Sequence, residues 1–423
     1  MPESYSNEEW AAIRAKAETF RKAVLDDPIL TKGPTGNDPT FKETVLKRFG
    51  EYARLRQGLE IAAMYDKSTQ AQVKELHERL DTVRPLFRIP TSKLGLAEYP
   101  FTLVRLCLFV VVFLCGGMCV CAFSPVVWFF DVALKCTRFR NGAFFEGFVV
   151  RYLFWRPLLA ASFVDVKRDR SKQDWDESEG GIVVVNHASN LDGFVLGPSI
   201  TPIMPKFLAK KELFYIPLFG WMALLLGHVL VNRKNRGKAV GALNKAAYKI
   251  LKKDKRSIFI SPEGTRTRDG NLVLPFKKGS FYIREQTGSP FFPCVIHGAF
   301  ALWPPGNIFI SPGEVLVENL PAIPCTADQS RANDRLNLQQ IYTDLLYPKT
   351  TGKGLIAPTE QRPLTIAGGT KCLVTLCCAA VVYYVLFSNA LFFLNSVGID
   401  GLTLGKCLCL VHVVLCGYVA IFK

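Results

Sequence analysis

Apolar residues recur at helical spacing through the first part of the chain. Ile13, Ala17, Phe20 and Val24 form one stripe, Val45, Phe49 and Tyr52 a second, and Val73, Leu76, Leu80 and Val83 a third. Gly33-Pro34-Thr35-Gly36 separates the first helix from the second. Residues 1–95 therefore read as a helical region for regulation, docking or membrane contact, with no constellation suited to chemistry. The pattern then changes: residues 106–130 hold no charge, enough chain to cross a hydrocarbon core of about 30 Å. Gly116-Gly117 and Ser124-Pro125 interrupt this run, which leaves both a spanning helix and a re-entrant hairpin open. Basic residues flank it on both sides (Arg88, Lys93 and Arg105; Lys135, Arg138 and Arg140). Loop charge thus sets no orientation and leans towards the re-entrant form.

A third pattern follows a charged polar loop expected over residues 165–180. Ile182–Val185 is a β-branched run that reads as a buried strand. Further strands are expected at 229–231, 258–260, 292–296 and 315–317. Helices are expected at 239–251, where Val240, Leu243, Ala247 and Ile250 share a face, and near Arg331–Leu346. Alternation of strands and helices predicts an α/β domain over 160–350, with a mixed, largely parallel sheet between helical layers. Residues 372–399 and 407–422 are again uncharged and are separated by Lys406. They suggest a C-terminal membrane hairpin within 370–423, while 100–155 forms the first membrane-associated segment. The chain opens on Met-Pro-Glu-Ser without an apolar run, so no cleaved signal peptide is expected.

Charge sharpens this division. The chain carries a formal net charge of +16, and residues 206–284 hold 18 Lys and Arg against four acids. An anionic partner is expected, although a solvated basic face explains any single lysine. Of the 13 cysteines, ten lie in strongly apolar stretches and no Cys-x-x-Cys pair occurs. They read as small apolar residues in a reducing compartment, not as zinc ligands.

The candidate chemistry begins where the first buried strand ends, at Asn186-His187-Ala188-Ser189-Asn190-Leu191-Asp192. A histidine in a strand-to-helix loop and an aspartate in the first helical turn can meet. The aspartate then fixes the imidazole tautomer, giving a general base for a hydroxyl. The alternative is a capped helix start, with Ser189 as cap and Asp192 three residues on. Ser261-Pro262-Glu263-Gly264-Thr265-Arg266 follows the 258–260 strand. Here Arg266 is able to grip a phosphate, or the segment is an ordinary turn with a solvated arginine. Arg233, after the 229–231 strand, is a second candidate phosphate ligand or a surface arginine. Lys277 and Lys278 read as surface charges, His228 and His297 as structural, and His77 as exposed. His412 reads as a hydrogen-bonding residue in the last apolar segment.

Together these signals resemble the glycerolipid acyltransferase family, of the 1-acylglycerol-3-phosphate O-acyltransferase type. His187-x4-Asp192 matches its first motif, and residues 206–233 look like its second. Pro262-Glu263-Gly264-Thr265-Arg266 matches the third, with Ser261 where an aromatic usually stands, and residues 291–296 are similar to the fourth. The resemblance covers about residues 180–325. It implies transfer of an acyl chain from acyl-CoA, as co-substrate, to the hydroxyl of lysophosphatidic acid, without a cofactor or metal. It also implies His187 as base, Asp192 as its orienting partner, and an acceptor-phosphate site shaped by Arg233, Glu263, Gly264, Thr265 and Arg266. Glu263 is expected to position the arginine or hydroxyl. Membrane lipids, acyl-CoA and a lysophospholipid are the implied partners. The setting implied is the endoplasmic reticulum membrane, with the catalytic domain on its cytosolic face. Alternatives are a glycerol-3-phosphate acyltransferase, an acyltransferase for another lysophospholipid, or a non-catalytic basic membrane scaffold. Nucleic-acid binding has charge alone in its favour and no motif.

Overall fold

The computed structural model describes residues 7–33, 39–65, 70–89, 99–135, 144–176, 180–199, 205–216, 218–231, 236–326, 330–348 and 363–396. Four helices come first: α1 (Asn7–Leu25), α2 (Pro28–Lys32), α3 (Pro39–Tyr65) and α4 (Gln70–Asp81). Their predicted stripes face the core, with Val24, Val45, Phe49, Tyr52 and Val83 fully enclosed and Ile13 partly buried. The break after α1 comes earlier than the Gly-Pro-Thr-Gly signal. The Asp27 side chain accepts from Ile29 N–H and Pro28 opens α2, the expected chemistry of a helix start.

The first apolar run forms one continuous helix, α5 (Tyr99–Lys135), about 55 Å long at 1.5 Å per residue. Neither the glycine pair nor the Ser-Pro step breaks it. Pro125 lacks the N–H that would bond the Cys121 carbonyl, and Ser124 Oγ donates to that carbonyl instead at 2.7 Å. Gly116 marks a close crossing. A Cβ there would lie 2.5 Å from the Leu153 carbonyl oxygen and 2.8 Å from the Tyr383 hydroxyl. The chain returns along α5 through α6 (Phe144–Val150), a π-helical turn (Arg151–Trp155) and α7 (Arg156–Ala161). Residues 106–130 therefore lie within a single helix, with no turn inside them.

Among the described residues the sheet has seven strands: β1 (Val164–Asp169), β2 (Ile182–Val185), β3 (Lys206–Lys210), β4 (Val229–Val231), β5 (Ile258–Ile260), β6 (Phe291–His297) and β7 (Gly313–Asn319). Their spatial order is β1-β7-β6-β2-β5-β3-β4. Every pairing is parallel except β6 with β7, so the sheet is mixed and largely parallel, as expected. Two strands were not expected. Residues 165–169, expected within a polar loop, belong to β1, where Val164 and Val166 are interspersed with four charged residues at the sheet edge. Lys206–Lys210 forms β3, a strand carrying a lysine at each end.

Side chains alternate between two apolar layers. Ile182, Val184, Ile258, Phe291 and Val295 face one core together with the buried stripes of α1, α3 and α4. That layer also takes residues from α10 (Arg236–Tyr248), α11 (Gly279–Thr287) and α13 (Arg331–Leu346). Val183, Val185, Phe292, Cys294 and Val315 face the other, beneath Leu191 and Val195 of the loop and helix after β2. Helices α8 (Asp192–Ser199), α9 (Phe219–Leu225) and α12 (Ala299–Leu302) complete the domain. The result is the three-layer α/β arrangement read from the sequence.

Last comes α14 (Ile366–Ser396). Among the described residues, two helices are long and apolar enough to cross a membrane, over Pro100–Val126 and Ile366–Leu391, with mean hydropathy 2.8 and 1.9. Large apolar side chains such as Phe101, Val111, Leu114, Leu373, Val381 and Val385 lie exposed on them, which suits lipid better than water. The second arm of the expected C-terminal hairpin, 407–422, lies outside the described residues, as does His412.

Candidate active site

Strand adjacency builds the site. β2 and β5 are parallel neighbours, with Val184 opposite Ile260, so the loops after them leave the same edge of the sheet side by side. The carboxyl ends of strands in such sheets are where sites form. β6 flanks β2 on the other side, and Asn186 is locked to it. Its side chain donates to the Ile296 carbonyl at 3.0 Å and accepts from the Ile296 N–H at 2.8 Å.

His187 and Asp192 meet. His187 Nδ1 lies 2.8 Å from Asp192 Oδ2, and the side chains are 29% and 1% exposed. A carboxylate on Nδ1 keeps the proton there and leaves Nε2 basic. Nε2 has no protein partner among the described residues, so the open ring nitrogen is the one free to take a proton. The helix-start alternative is also realised. Asp192 is the first residue of α8, and the same Oδ2 accepts from Ser189 N–H at 3.0 Å. Ser189 Oγ accepts from Leu191 N–H at 3.0 Å and donates to the Trp303 carbonyl at 2.7 Å. Capping thus immobilises the carboxylate that orients the imidazole.

The Pro-Glu-Gly-Thr-Arg loop reaches this pair by two routes. Arg266 donates through Nη1 to Asn190 Oδ1, inside the His187 motif, and remains exposed beside the exposed Thr265 and Gly264. Gly264 adopts φ +69°, and a Cβ there would meet Lys277 Cγ at 2.8 Å. Glycine answers both demands. Glu263 departs from its expected place at the acceptor phosphate, since it is 1% exposed. It straps backbone instead. Oε1 accepts from His187 N–H at 2.6 Å and Oε2 from Val273 N–H at 2.7 Å. Burial pushes its carboxyl up to about 7, against the lowering pull of those two donors. Only the position of Glu263, between a strand end and a glycine turn, was legible; a bond to a backbone amide leaves no mark in side-chain pattern.

Arg233 lies outside the described residues. Lys277 and Lys278 are exposed. His228 accepts from Phe207 N–H at 3.2 Å, and the buried His297 sits 3.4 Å from Glu318, both structural. His77 is half-buried against the Arg56 carbonyl at 3.3 Å, not a surface residue, and burial lowers its pKa. The basic segment is not one surface. Lys206 is buried and donates to the Leu226 carbonyl. Arg284 is buried against Asp334 at 3.4 Å and the Pro324 carbonyl.

Known proteins share this part of the chain. Residues 165–297 match the family model named Acyltransferase. The resemblance to the acyltransferase family holds over that segment. A 1-acyl-sn-glycerol-3-phosphate acyltransferase of Limnanthes douglasii is 35% identical over 142 residues, covering 34% of this chain and 50% of the relative. One from Saccharomyces cerevisiae is 38% identical over 143 residues, covering 34% and 46%. One from Cocos nucifera is 32% identical over 192 residues, covering 44% and 57%. The chain thus spans about half the length of these relatives. The crystal structure of the 1-acyl-sn-glycerophosphate (LPA) acyltransferase PlsC from Thermotoga maritima aligns with TM-score 0.48 and 23% identity, covering 60% of this chain and all of that one. Helices α1–α4 lie outside the family match.

Proposed function

We propose that this chain transfers an acyl group from acyl-CoA to the free hydroxyl of 1-acylglycerol-3-phosphate, giving phosphatidic acid. The observation that carries this reading is the buried Asp192 carboxylate on Nδ1 of a part-exposed His187, in a segment matching the Acyltransferase family. Relatives named for that acceptor support the substrate class.

In the proposed reaction His187 Nε2 removes the acceptor hydroxyl proton as the oxygen attacks the thioester carbonyl. The C–O bond forms, the C–S bond breaks, and the imidazolium returns its proton to the departing CoA thiolate. Asp192 stabilises the imidazolium, and general-base help of this kind is worth roughly 10²–10⁴ in rate. Glu263 holds the His187 peptide in place. We assign the acceptor phosphate to Arg266, which is exposed and tethered to Asn190, with Gly264 and Thr265 beside it; Arg233 is assigned to the same role from its motif. The exposed apolar faces of α5 and α14 suit a membrane setting in which both substrates keep their acyl tails in lipid. We place it at the endoplasmic reticulum membrane with the catalytic domain on the cytosolic face.

An acceptor panel tests the reading. Membranes containing the protein are given acyl-CoA with lysophosphatidate, glycerol 3-phosphate, or choline, ethanolamine and inositol lysolipids. Preferred acylation of lysophosphatidate is expected. Preference for glycerol 3-phosphate moves the assignment to that acceptor, and transfer to none of them defeats it.

A further inference from the structure

Helices α1–α4 lie outside the acyltransferase match, yet the chain just after them is bonded to the loop that carries the third motif. The contact is made by Arg84 to Ile89. Arg84 Nε donates to Asp269 Oδ2 at 2.9 Å and Nη2 donates to the Leu272 carbonyl at 3.2 Å. Asn271 Nδ2 donates to the Phe87 carbonyl at 2.8 Å, and Ile89 N–H donates to the Asp269 carbonyl at 3.0 Å. The Arg84–Asp269 pair is largely enclosed, at 22% and 14% side-chain exposure, so it is screened less than a surface pair. Arg84 also lies over the Phe49 ring of α3 at 5.8 Å, and Phe49 meets Phe87 edge-on. The arginine is therefore held from behind by the N-terminal core.

From Asp269 the connection runs through Thr267 to the backbone of the proposed base. Asp269 Oδ1 accepts from Thr267 Oγ1 at 2.6 Å and from Asn271 N–H at 3.0 Å. Thr267 N–H donates to the His187 carbonyl at 2.9 Å. At the other end of the loop, Val273 N–H and His187 N–H share the Glu263 carboxylate. Both backbone polar groups of His187 thus end on residues 263–273, and the middle of that loop is held by residues 84–89. Arg84 and Asp269 connect to the His187 segment through its backbone and not through its imidazole.

We propose that Arg84 and Asp269 are positioning residues through which the N-terminal helical module holds the His187 backbone in register for proton abstraction. This rests on the acyl-transfer reading of His187. It gives residues 1–95 a role in catalysis that their own composition does not display.

The test uses full-length protein in membranes or detergent, comparing wild type with Arg84→Ala, Arg84→Lys and Asp269→Asn. Two quantities are read: kcat and KM per folded molecule, and hydrogen exchange of the backbone amides in 263–273. Arg84→Ala and Asp269→Asn should lower kcat about tenfold, an energy of the size one enclosed charged hydrogen bond supplies. KM for both substrates should stay within about twofold, while exchange in 263–273 rises. Arg84→Lys should recover part of kcat. A merely structural contact would lower the unfolding temperature and leave kcat per folded molecule at the wild-type value, which overturns the proposal. Should Arg84→Ala fail to fold, Asp269→Asn, similar in shape and lacking the charge, is judged by the same two readouts. A wild type inactive on every acceptor defeats the proposed function instead. The clamp is then judged by exchange alone, and unchanged exchange in the variants overturns it.

Discussion

Replacing Glu263 with Gln tests whether a buried carboxylate positions the base. In the wild type both carboxylate oxygens accept backbone N–H groups, from His187 and Val273. Gln keeps the shape but offers one oxygen and one NH2, so one buried N–H loses its acceptor. An unsatisfied buried donor costs roughly 1–3 kcal/mol. If that loss falls on the His187 peptide, kcat should drop about 10- to 100-fold, at about 1.4 kcal/mol per decade. KM should change little, because Glu263 is 1% exposed. The same variant carries a pH signature. Burial raises the carboxyl from 4.5 to about 7 in the fold, so the folded state holds its proton longer than the unfolded chain. Wild-type stability therefore falls as pH rises through that window and levels off above it. The variant lacks this loss, so the stability difference moves in its favour by up to about 3 kcal/mol across the window. Steady-state kinetics at pH 8 and thermal unfolding at a series of pH values measure both effects. A kcat within twofold of wild type, or a stability difference independent of pH, would refute the reasoning.

Three further outcomes follow from the geometry. Arg266→Ala should raise KM for a phosphate-bearing acceptor about tenfold, the effect of roughly 1.4 kcal/mol of lost binding, with KM for acyl-CoA less affected; equal shifts for both substrates in initial-rate kinetics contradict the assignment. Gly116→Val places a side chain against the Leu153 carbonyl and the Tyr383 hydroxyl, and overpacking of this kind costs about 1–3 kcal/mol, read as a lower unfolding temperature in detergent. Gly241→Ala in α10, where a Cβ meets nothing within 4 Å, should instead be neutral or stabilising by about 1 kcal/mol, so a loss equal to that of Gly116→Val would contradict the crossing argument.

What was legible in the sequence follows physical cause. β2, β5 and β6 were visible because strands near the middle of a parallel sheet are buried on both faces and read as unbroken apolar runs. β1 and β3 were not, because their lysines, arginine and aspartates mask the alternation. The His187–Asp192 pairing was open on spacing alone and needed a loop geometry that only the fold supplies. One carboxylate oxygen bonds both the imidazole and the backbone at the helix start, so the pairing and the cap coexist. Gly116-Gly117 and Ser124-Pro125 look like breaks in a linear reading, yet they mark a close crossing and a locally satisfied carbonyl. The contacts of Glu263 and Arg84 could not be read, since one bonds backbone and the other a partner 185 residues away.

His187 carries the central claim. Purified wild type and His187→Ala are compared in acyl transfer from acyl-CoA to lysophosphatidate, with unfolding temperature and membrane association measured on the same samples. Nε2 is the only group assigned to take the hydroxyl proton, so the variant should lose about 10²–10⁴ in kcat and remain folded and membrane-associated. A folded His187→Ala protein with wild-type turnover would contradict the account.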